Sequence, residues 1–275
     1  MTLTNISYSK QREADDRDAR VSRSLKNIKN KFLIMSGKGG VGKTSVAANL
    51  AITLANKGLK VGLMDVDIHG PDIPRMLGLK ENIGETLEQR MIPISYNDNL
   101  KVISVESLTE KKDDAVIWRG SMKHTTIKRF IGDVEWGDMD YLLIDCPPGT
   151  GDEPLTVAQT IRDAKAIIVT TPQEISLADV RKSISFCHSM YLDIFGLVEN
   201  MSGFECPHCG KAINLFGTGG GKKTAIKSSN RFLGKIPFDM GMVVCSDNGI
   251  SYTEKYPDTE VSKAFNDIAD KMIKY

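Results

Sequence analysis

From residue 31 onward, the hydrophobic and polar positions of the chain form two kinds of segment that alternate. Short, largely apolar runs typical of strands cover residues 31–35, 60–65, 100–105, 140–145, 165–170, 194–199 and 232–236. Between them, apolar residues recur with helical spacing near residues 44–57, 121–132, 154–162, 176–191, 219–229 and 258–273. This alternation predicts an α/β fold with a doubly wound, mostly parallel sheet flanked by helices.

The first 30 residues lack this alternation. They are rich in Lys, Arg, Asp and Ser and contain few apolar anchors, although residues 11–26 are compatible with a charged helix. We therefore expect a charged N-terminal extension over residues 1–30, mobile or loosely docked, followed by one domain over residues 31–275.

Residues 37–44, Gly-Lys-Gly-Gly-Val-Gly-Lys-Thr, match the phosphate-binding pattern G-x-x-x-x-G-K-[ST] between a predicted strand and a predicted helix. Glycines allow successive backbone N–H groups to surround phosphate oxygens, and the helix dipole adds positive charge. Lys43 is expected to neutralise the β- and γ-phosphates, and the Thr44 hydroxyl is expected to bind Mg²⁺. The predicted nucleotide-binding residues here are Gly37, Lys38, Gly39, Gly40, Val41, Gly42, Lys43, Thr44 and Ser45.

Three aspartates follow strands that are predicted to end at the same edge of the sheet. Asp65 and Asp67 are two residues apart, so in an extended chain both project to the same side. We assign Asp65 to Mg²⁺ and Asp67 to the attacking water, although turn-forming aspartates are an alternative. Asp145 ends an apolar strand, as expected of a Walker B acid that faces Mg²⁺.

Cys206 and Cys209 form a C-x-x-C pair, whose spacing allows two thiolates to bind one metal centre. A closed tetrahedral site needs four ligands, and a two-fold dimer would supply the other two thiolates. Zinc and a [4Fe–4S] cluster both satisfy this geometry. A redox dithiol is a weaker alternative because no strand leads directly through the pair into a helix, and an inert pair is another.

Composition narrows the partners and the location. The formal net charge is +1, which gives no reason to expect nucleic acid or an anionic membrane as a partner. No apolar stretch approaches the ~20 residues needed to span a bilayer, and the polar N-terminus is unlike a secretory signal. Five cysteines, an odd number, argue against a disulfide framework. We expect a cytoplasmic protein.

Taken together, the phosphate loop, the segments at residues 65–71 and 145–152, and the cysteine pair resemble one family. They are similar to the Mrp/ApbC/Nbp-type P-loop ATPases, which are iron–sulfur cluster carriers of the deviant Walker A (SIMIBI) class. The likeness covers roughly residues 30–270, and the motifs stand in family order. An N-terminal four-cysteine site found in many relatives has no counterpart, since residues 1–30 contain no cysteine.

The resemblance implies further roles. Lys38 matches a signature lysine that reaches the nucleotide of the partner subunit, so Lys38, Lys43 and Asp67 form the implied catalytic set. Asn200 matches an adenine-reading asparagine, although it also fits a local role at a strand end. Pro237 and Phe238 match a turn that flanks the base.

The implied function is an ATP-binding, slowly ATP-hydrolysing homodimer that assembles a [4Fe–4S] cluster between its subunits and transfers it to apoproteins. One alternative is a positioning ATPase similar to MinD and ParA, which has no use for the cysteine pair. The apolar stripe of the last predicted helix, Val261, Phe265, Ile268 and Met272, is better explained by packing on the core than by membrane binding. A second alternative is a nucleotide switch that holds zinc.

Overall fold

A computed structural model of the chain describes residues 16, 18–68, 70–80, 83–87, 90–105, 120–206 and 208–275, without the side chains of 120–122. Residues 1–15 and 17 of the predicted extension, and Pro207 between the paired cysteines, lie outside the described residues.

Twelve described strands organise the chain, and eight of them form one sheet. The strands are β1 (Ile28–Ser36), β2 (Val61–Asp65), β3 (Gly84–Glu85), β4 (Met91–Ile92), β5 (Ile94–Ser95), β6 (Leu100–Ser104), β7 (Met139–Asp145), β8 (Lys165–Thr170), β9 (Asp193–Glu199), β10 (Phe204–Glu205), β11 (Ala212–Ile213) and β12 (Phe232–Lys235). The large sheet has the order β12-β9-β8-β1-β7-β2-β6-β5. Every pair of adjacent strands in this sheet is parallel except β5 and β6, which are antiparallel.

Helices lie between these strands. They are α1 (described over 18–25), α2 (Lys43–Asn56), α3 (Ile73–Met76), α4 (Gly120–Gly132), α5 (Asp152–Thr160), α6 (Glu174–Ser189), α7 (Gly220–Lys227), α8 (Met240–Asp247), α9 (Tyr252–Lys255) and α10 (Glu260–Ile273). All seven predicted strands and all six predicted helices are confirmed, with ends shifted by at most three residues. The prediction missed α8, and it missed α3, α9 and the two-residue strands because segments of two to four residues are too short for a periodic pattern.

The sheet is covered on both faces, as a parallel sheet requires. Along β1, Phe32 and Ile34 join a core that includes α2 and α10, whereas Leu33 and Met35 join a core that includes α4 and α6. The stripe of α10 is fully buried and the helix packs on α2, which confirms its predicted place in the core. No helix in the described part of the chain is long and apolar enough to cross a bilayer.

The described end of the N-terminal segment is attached to the domain. Val21 and Leu25, four residues apart on α1, are buried against the core, and the Ser24 hydroxyl donates a hydrogen bond of 2.8 Å to the backbone oxygen of Val134. Residues 28–30 already belong to β1. The boundary at residue 30 and the separate nature of the extension remain proposals.

Candidate nucleotide and thiolate sites

The phosphate loop and the predicted acids meet because three neighbouring parallel strands end together. Strand β7 lies between β1 and β2, and its last residue, Asp145, is in register with Ile34 on one side and Asp65 on the other. The loop of residues 37–42 leaves the end of β1 and enters α2 at Lys43. Ligand sites of open α/β sheets lie at this edge.

Two glycines of the loop have steric reasons to be glycine. Gly42 precedes α2 with a left-handed backbone (φ 77°), and a Cβ atom there would lie 2.3 Å from Nδ2 of Asn200. A Cβ atom on Gly37 would lie 2.4 Å from the backbone carbon of Asp179, at α6. The loop is therefore closely packed between β9 and α6, and any side chain at these positions would force it out of place.

Lys43 and Thr44 both contact Asp145. Lys43 Nζ donates to Asp145 Oδ1 at 2.6 Å, and Thr44 Oγ1 donates to Asp145 Oδ2 at 2.8 Å. Lys43 is only 6% exposed and Asp145 is completely buried. Burial raises the pKa of Asp145 above its ordinary value, and the Lys43 ammonium opposes that rise. The structure thus brings together the predicted phosphate-binding lysine, the hydroxyl and the Walker B acid.

Asp65 is also completely buried, and backbone and side-chain donors hold it in place. It accepts hydrogen bonds from the backbone N–H of Asp67 at 3.0 Å and from the Ser104 hydroxyl at 3.3 Å. Burial, followed by the nearby negative charge of Asp145, raises the pKa of Asp65 well above its ordinary value. A cation beside these two carboxylates would stabilise their ionised forms. Hydroxyl and carboxylate oxygens form the hard donor set that Mg²⁺ prefers, so Thr44, Asp65 and Asp145 fit this ion.

A cleft of about 710 Å³ opens above these buried groups. The described residues that line it include most of the predicted set, namely Lys38, Gly39, Gly40, Val41, Gly42, Lys43, Thr44, Ser45 and Asp67. Asp67 is 8% exposed, and its Oδ1 accepts the backbone N–H of Gly70 at 3.3 Å. Gly37 packs against α6 instead of lining the cleft. Asp65 and Asp145 are completely buried and are not part of the lining.

A smaller, mainly apolar pocket of about 190 Å³ adjoins the cleft and shares Gly42 and Ser45 with it. Its lining includes the three residues predicted to contact a base, Asn200, Pro237 and Phe238, together with Met242 and Val243 of α8. Asn200 Nδ2 donates to the backbone oxygen of Val41 at 2.9 Å, which ties the end of β9 to the phosphate loop. An amide has a second N–H and a carbonyl oxygen, so this bond uses one of its three groups.

Cys206 and Cys209 lie outside both cavities, on a hairpin formed by β10 and β11. The backbone N–H of Cys206 donates to Lys211 O at 3.0 Å and that of Gly210 donates to Cys206 O at 2.8 Å, which closes a tight turn. Backbone N–H groups of His208 and Cys209 stabilise the Cys206 thiolate and hold its pKa below the ordinary value. Cys209 is exposed and Cys206 is half-buried, whereas Cys146, Cys187 and Cys245 are buried. Among the described residues, no group of three or more His, Cys, Asp or Glu side chains is arranged to hold a metal ion.

Sequence reasoning missed two charged features near these sites. Glu199, the completely buried last residue of β9, accepts hydrogen bonds from the N–H groups of Gly219 and Gly221 and from the Ser202 hydroxyl. It thereby fixes the start of α7 beside the loop that leads to the cysteine hairpin. At the cleft, Lys123 and Glu153 form an ion pair of 2.8 Å between α4 and α5. For Glu199, the available signal in the sequence was an acid directly before Asn200. Nothing in the local sequence indicated the ion pair between Lys123 and Glu153.

Comparison with known proteins agrees with this geometry. A ParA-family model described as "NUBPL iron-transfer P-loop NTPase" matches residues 27–273. The chain belongs to this family. The fold class and the resemblance stated from the motifs are thereby confirmed.

Individual relatives are similar over nearly their full length. The chain is 45% identical over 253 residues to a cytosolic Fe-S cluster assembly factor NUBP2 homolog of Dictyostelium discoideum, covering 90% of this chain and 96% of that protein. It is 45% identical over 258 residues to an iron-sulfur cluster carrier protein of Saccharolobus solfataricus, covering 94% and 87%. The solved structure of a nucleotide-binding protein of Archaeoglobus fulgidus, in complex with ADP and with cobalt, is 38% identical, with a TM-score of 0.74, covering 89% and 98%.

Proposed function

We propose that this P-loop NTPase is an ATP-binding and ATP-hydrolysing carrier that assembles a [4Fe–4S] cluster and transfers it to apo iron–sulfur proteins. The observation that carries the proposal is that one domain joins a phosphate-loop cleft to an exposed hairpin bearing Cys206 and Cys209. The names of the two relatives, an iron–sulfur assembly factor and a carrier, support it.

In the cleft, loop N–H groups and Lys43 bind the phosphates, and the adjoining pocket takes the base between Asn200 and Phe238. Thr44, Asp65 and Asp145 would hold Mg²⁺ directly or through water. When bound, this ion would neutralise phosphate charge. Lys43 is already placed between Asp145 and the cleft, so it bridges the buried carboxylate and the incoming phosphates.

Asp67 orients the attacking water. Asp67→Asn keeps the shape and the acceptor for Gly70 N–H but removes the charge that polarises water, so we expect ATP turnover to fall about 100-fold. Affinity for Mg-ADP should remain within about twofold of wild type, because the loop and Lys43 are intact. Steady-state phosphate release and equilibrium ADP titration measure the two effects. Asp258→Asn, a change of an exposed acid, is the matched control, and unchanged turnover in Asp67→Asn would remove Asp67 from this role.

The cluster is shared between two copies of the chain. Cys206 and Cys209 supply two thiolates, half of a four-ligand set, and an isologous two-fold contact supplies the same pair again. In the homodimer, Lys38 of each subunit reaches the nucleotide of the partner; its backbone is held by the Ser36 hydroxyl, which donates to Lys38 O at 3.0 Å. Because the nucleotide site is complete only when Lys38 of a second copy reaches it, intrinsic ATP hydrolysis is slow.

The cellular location and the partners of the protein are also part of the proposal. The relative described as cytosolic supports a cytoplasmic location. Apo iron–sulfur proteins are the recipients, and neither nucleic acid nor a membrane is a required partner, in keeping with the net charge of +1.

Anaerobic reconstitution of the full chain with iron and sulfide, with and without Mg-ATP, tests the proposal. We expect a broad charge-transfer absorbance, about four iron atoms and four sulfides per two chains, and a dimer by light scattering. Colourless protein with stoichiometric zinc would instead favour a zinc-holding nucleotide switch. A chain that stays monomeric under every ligand condition and binds no iron would contradict the carrier.

A further inference from the structure

Phe238 belongs to two sites at once. Its half-buried side chain lines the small pocket beside the phosphate cleft. The same ring makes edge-to-face contacts with Phe204, at 5.8 Å between centroids and 67° between planes, and with Phe216, at 6.1 Å and 68°. Phe204 is the first residue of the cysteine hairpin, and Phe216 lies three residues after its last strand. One ring therefore lies between the pocket for the base and the segment that carries the thiols.

The hairpin has few other anchors. All described residues from 205 to 215 are exposed except Cys206, whereas Phe204 and Phe216 are half-buried. The approach to the hairpin is fixed through the backbone, since Phe238 N donates to Gly203 O at 2.8 Å and Ser202 N donates to Ile236 O at 2.9 Å. The ring contacts with Phe238 thus attach both ends of the hairpin to the residue that lines the small pocket.

We propose that Phe238 is a positioning residue through which occupation of the base pocket orders the Cys206–Cys209 hairpin. A base stacked in the pocket restricts the Phe238 ring, and the two edge-to-face pairs pass this restriction to Phe204 and Phe216. Ordering by one ligand lowers the entropic cost of ordering for the next, so base binding and metal binding at the thiols favour each other reciprocally. This inference rests on the proposed function, in which a nucleotide base fills that pocket.

Alkylation of the full chain by iodoacetamide at fixed pH, resolved by peptide mass spectrometry, tests the coupling. Cys206 is half-buried and Cys209 is exposed, so ordering of the hairpin should slow alkylation of Cys206 more than that of Cys209, which serves as an internal reference. We expect Mg-ADP to slow alkylation of Cys206 relative to Cys209 by about two- to tenfold, the factor that one aromatic pair provides. Mg-pyrophosphate fills the phosphate loop without a base and should leave the ratio unchanged.

Variants on the hairpin side separate the coupling from nucleotide binding. Phe204→Leu/Phe216→Leu removes both rings without altering the pocket lining, so Mg-ADP affinity should be retained while its effect on Cys206 is lost. Phe204→Tyr keeps an aromatic ring at this position and should keep the effect of Mg-ADP on Cys206. Loss of the effect in the double variant alone would then be due to the missing rings and not to a general loosening of the hairpin. An equal response to pyrophosphate, or a persisting ADP response in the double variant, would overturn the proposal.

The same experiment distinguishes this inference from the proposed function. If Mg-ADP binds and the Cys206 ratio does not change, the coupling is wrong and the nucleotide site stands. If neither Mg-ADP nor Mg-ATP binds, the proposed function fails first, and the coupling fails with it.

Discussion

Replacement of Lys43 by alanine is expected to lower affinity for Mg-ADP by about 10- to 150-fold and to abolish ATP turnover. The variant loses a charge-assisted contact to phosphate, which contributes about 1.5–3 kcal/mol, together with the cation that offsets a buried carboxylate. Lys43 Nζ lies 2.6 Å from Asp145 Oδ1, and both side chains are almost completely buried. Calorimetric titration with Mg-ADP and phosphate release with ATP measure the two losses.

The same ion pair predicts a stability change that can be separated from the binding defect. Lys43→Ala leaves Asp145 unpaired in the interior and should cost about 3–5 kcal/mol of the free energy of unfolding. In Lys43→Ala/Asp145→Asn, a neutral amide replaces the isolated carboxylate and still accepts a hydrogen bond from the Thr44 hydroxyl. Most of that stability should therefore return, while affinity for Mg-ADP stays low. Denaturant unfolding of both variants tests this expectation. Wild-type affinity in Lys43→Ala would show that the loop backbone alone binds the phosphates.

The second large effect is expected from Cys206→Ala/Cys209→Ala, which should abolish incorporation of iron and sulfide and the associated absorbance. Both thiols lie on an exposed hairpin outside the nucleotide cavities, and backbone N–H groups hold the pKa of Cys206 below its ordinary value. Thiolates are the ligands of such clusters, so no iron should remain. Mg-ADP affinity should be within about twofold of wild type, since neither cysteine lines the cleft or the small pocket beside it.

Cys187→Ala is the matched control for the cysteine pair. Cys187 is buried in α6, and burial raises the pKa of its thiol to about 12, so it has no thiolate to offer. This variant should take up iron like the wild type. Loss of iron in both variants would indicate a general folding defect, and iron retained in Cys206→Ala/Cys209→Ala would place the cluster on other ligands.

The strand and helix pattern was readable from the sequence because a buried parallel sheet imposes long apolar runs, and its covering helices impose a helical period. β1, β7 and β8 follow these runs within about three residues. The phosphate loop was readable because its glycines, Lys43 and Thr44 act within eight consecutive residues. The burial of Val21 and Leu25 could not be predicted from the sequence, because it depends on packing against the distant α4 and Val134.

The sequence by itself determined the α/β class, the phosphate loop, the three strand-end acids and the C-x-x-C cysteine pair, because each depends on residues close together along the chain. Only the tertiary structure decided that Lys43 pairs with Asp145, that Asn200 ties β9 to the loop, and that Phe238 lies between the small apolar pocket and the cysteine hairpin. Those contacts join residues far apart in sequence. Their geometry follows from the order of strands in the sheet and the packing of its faces, which no local pattern encodes.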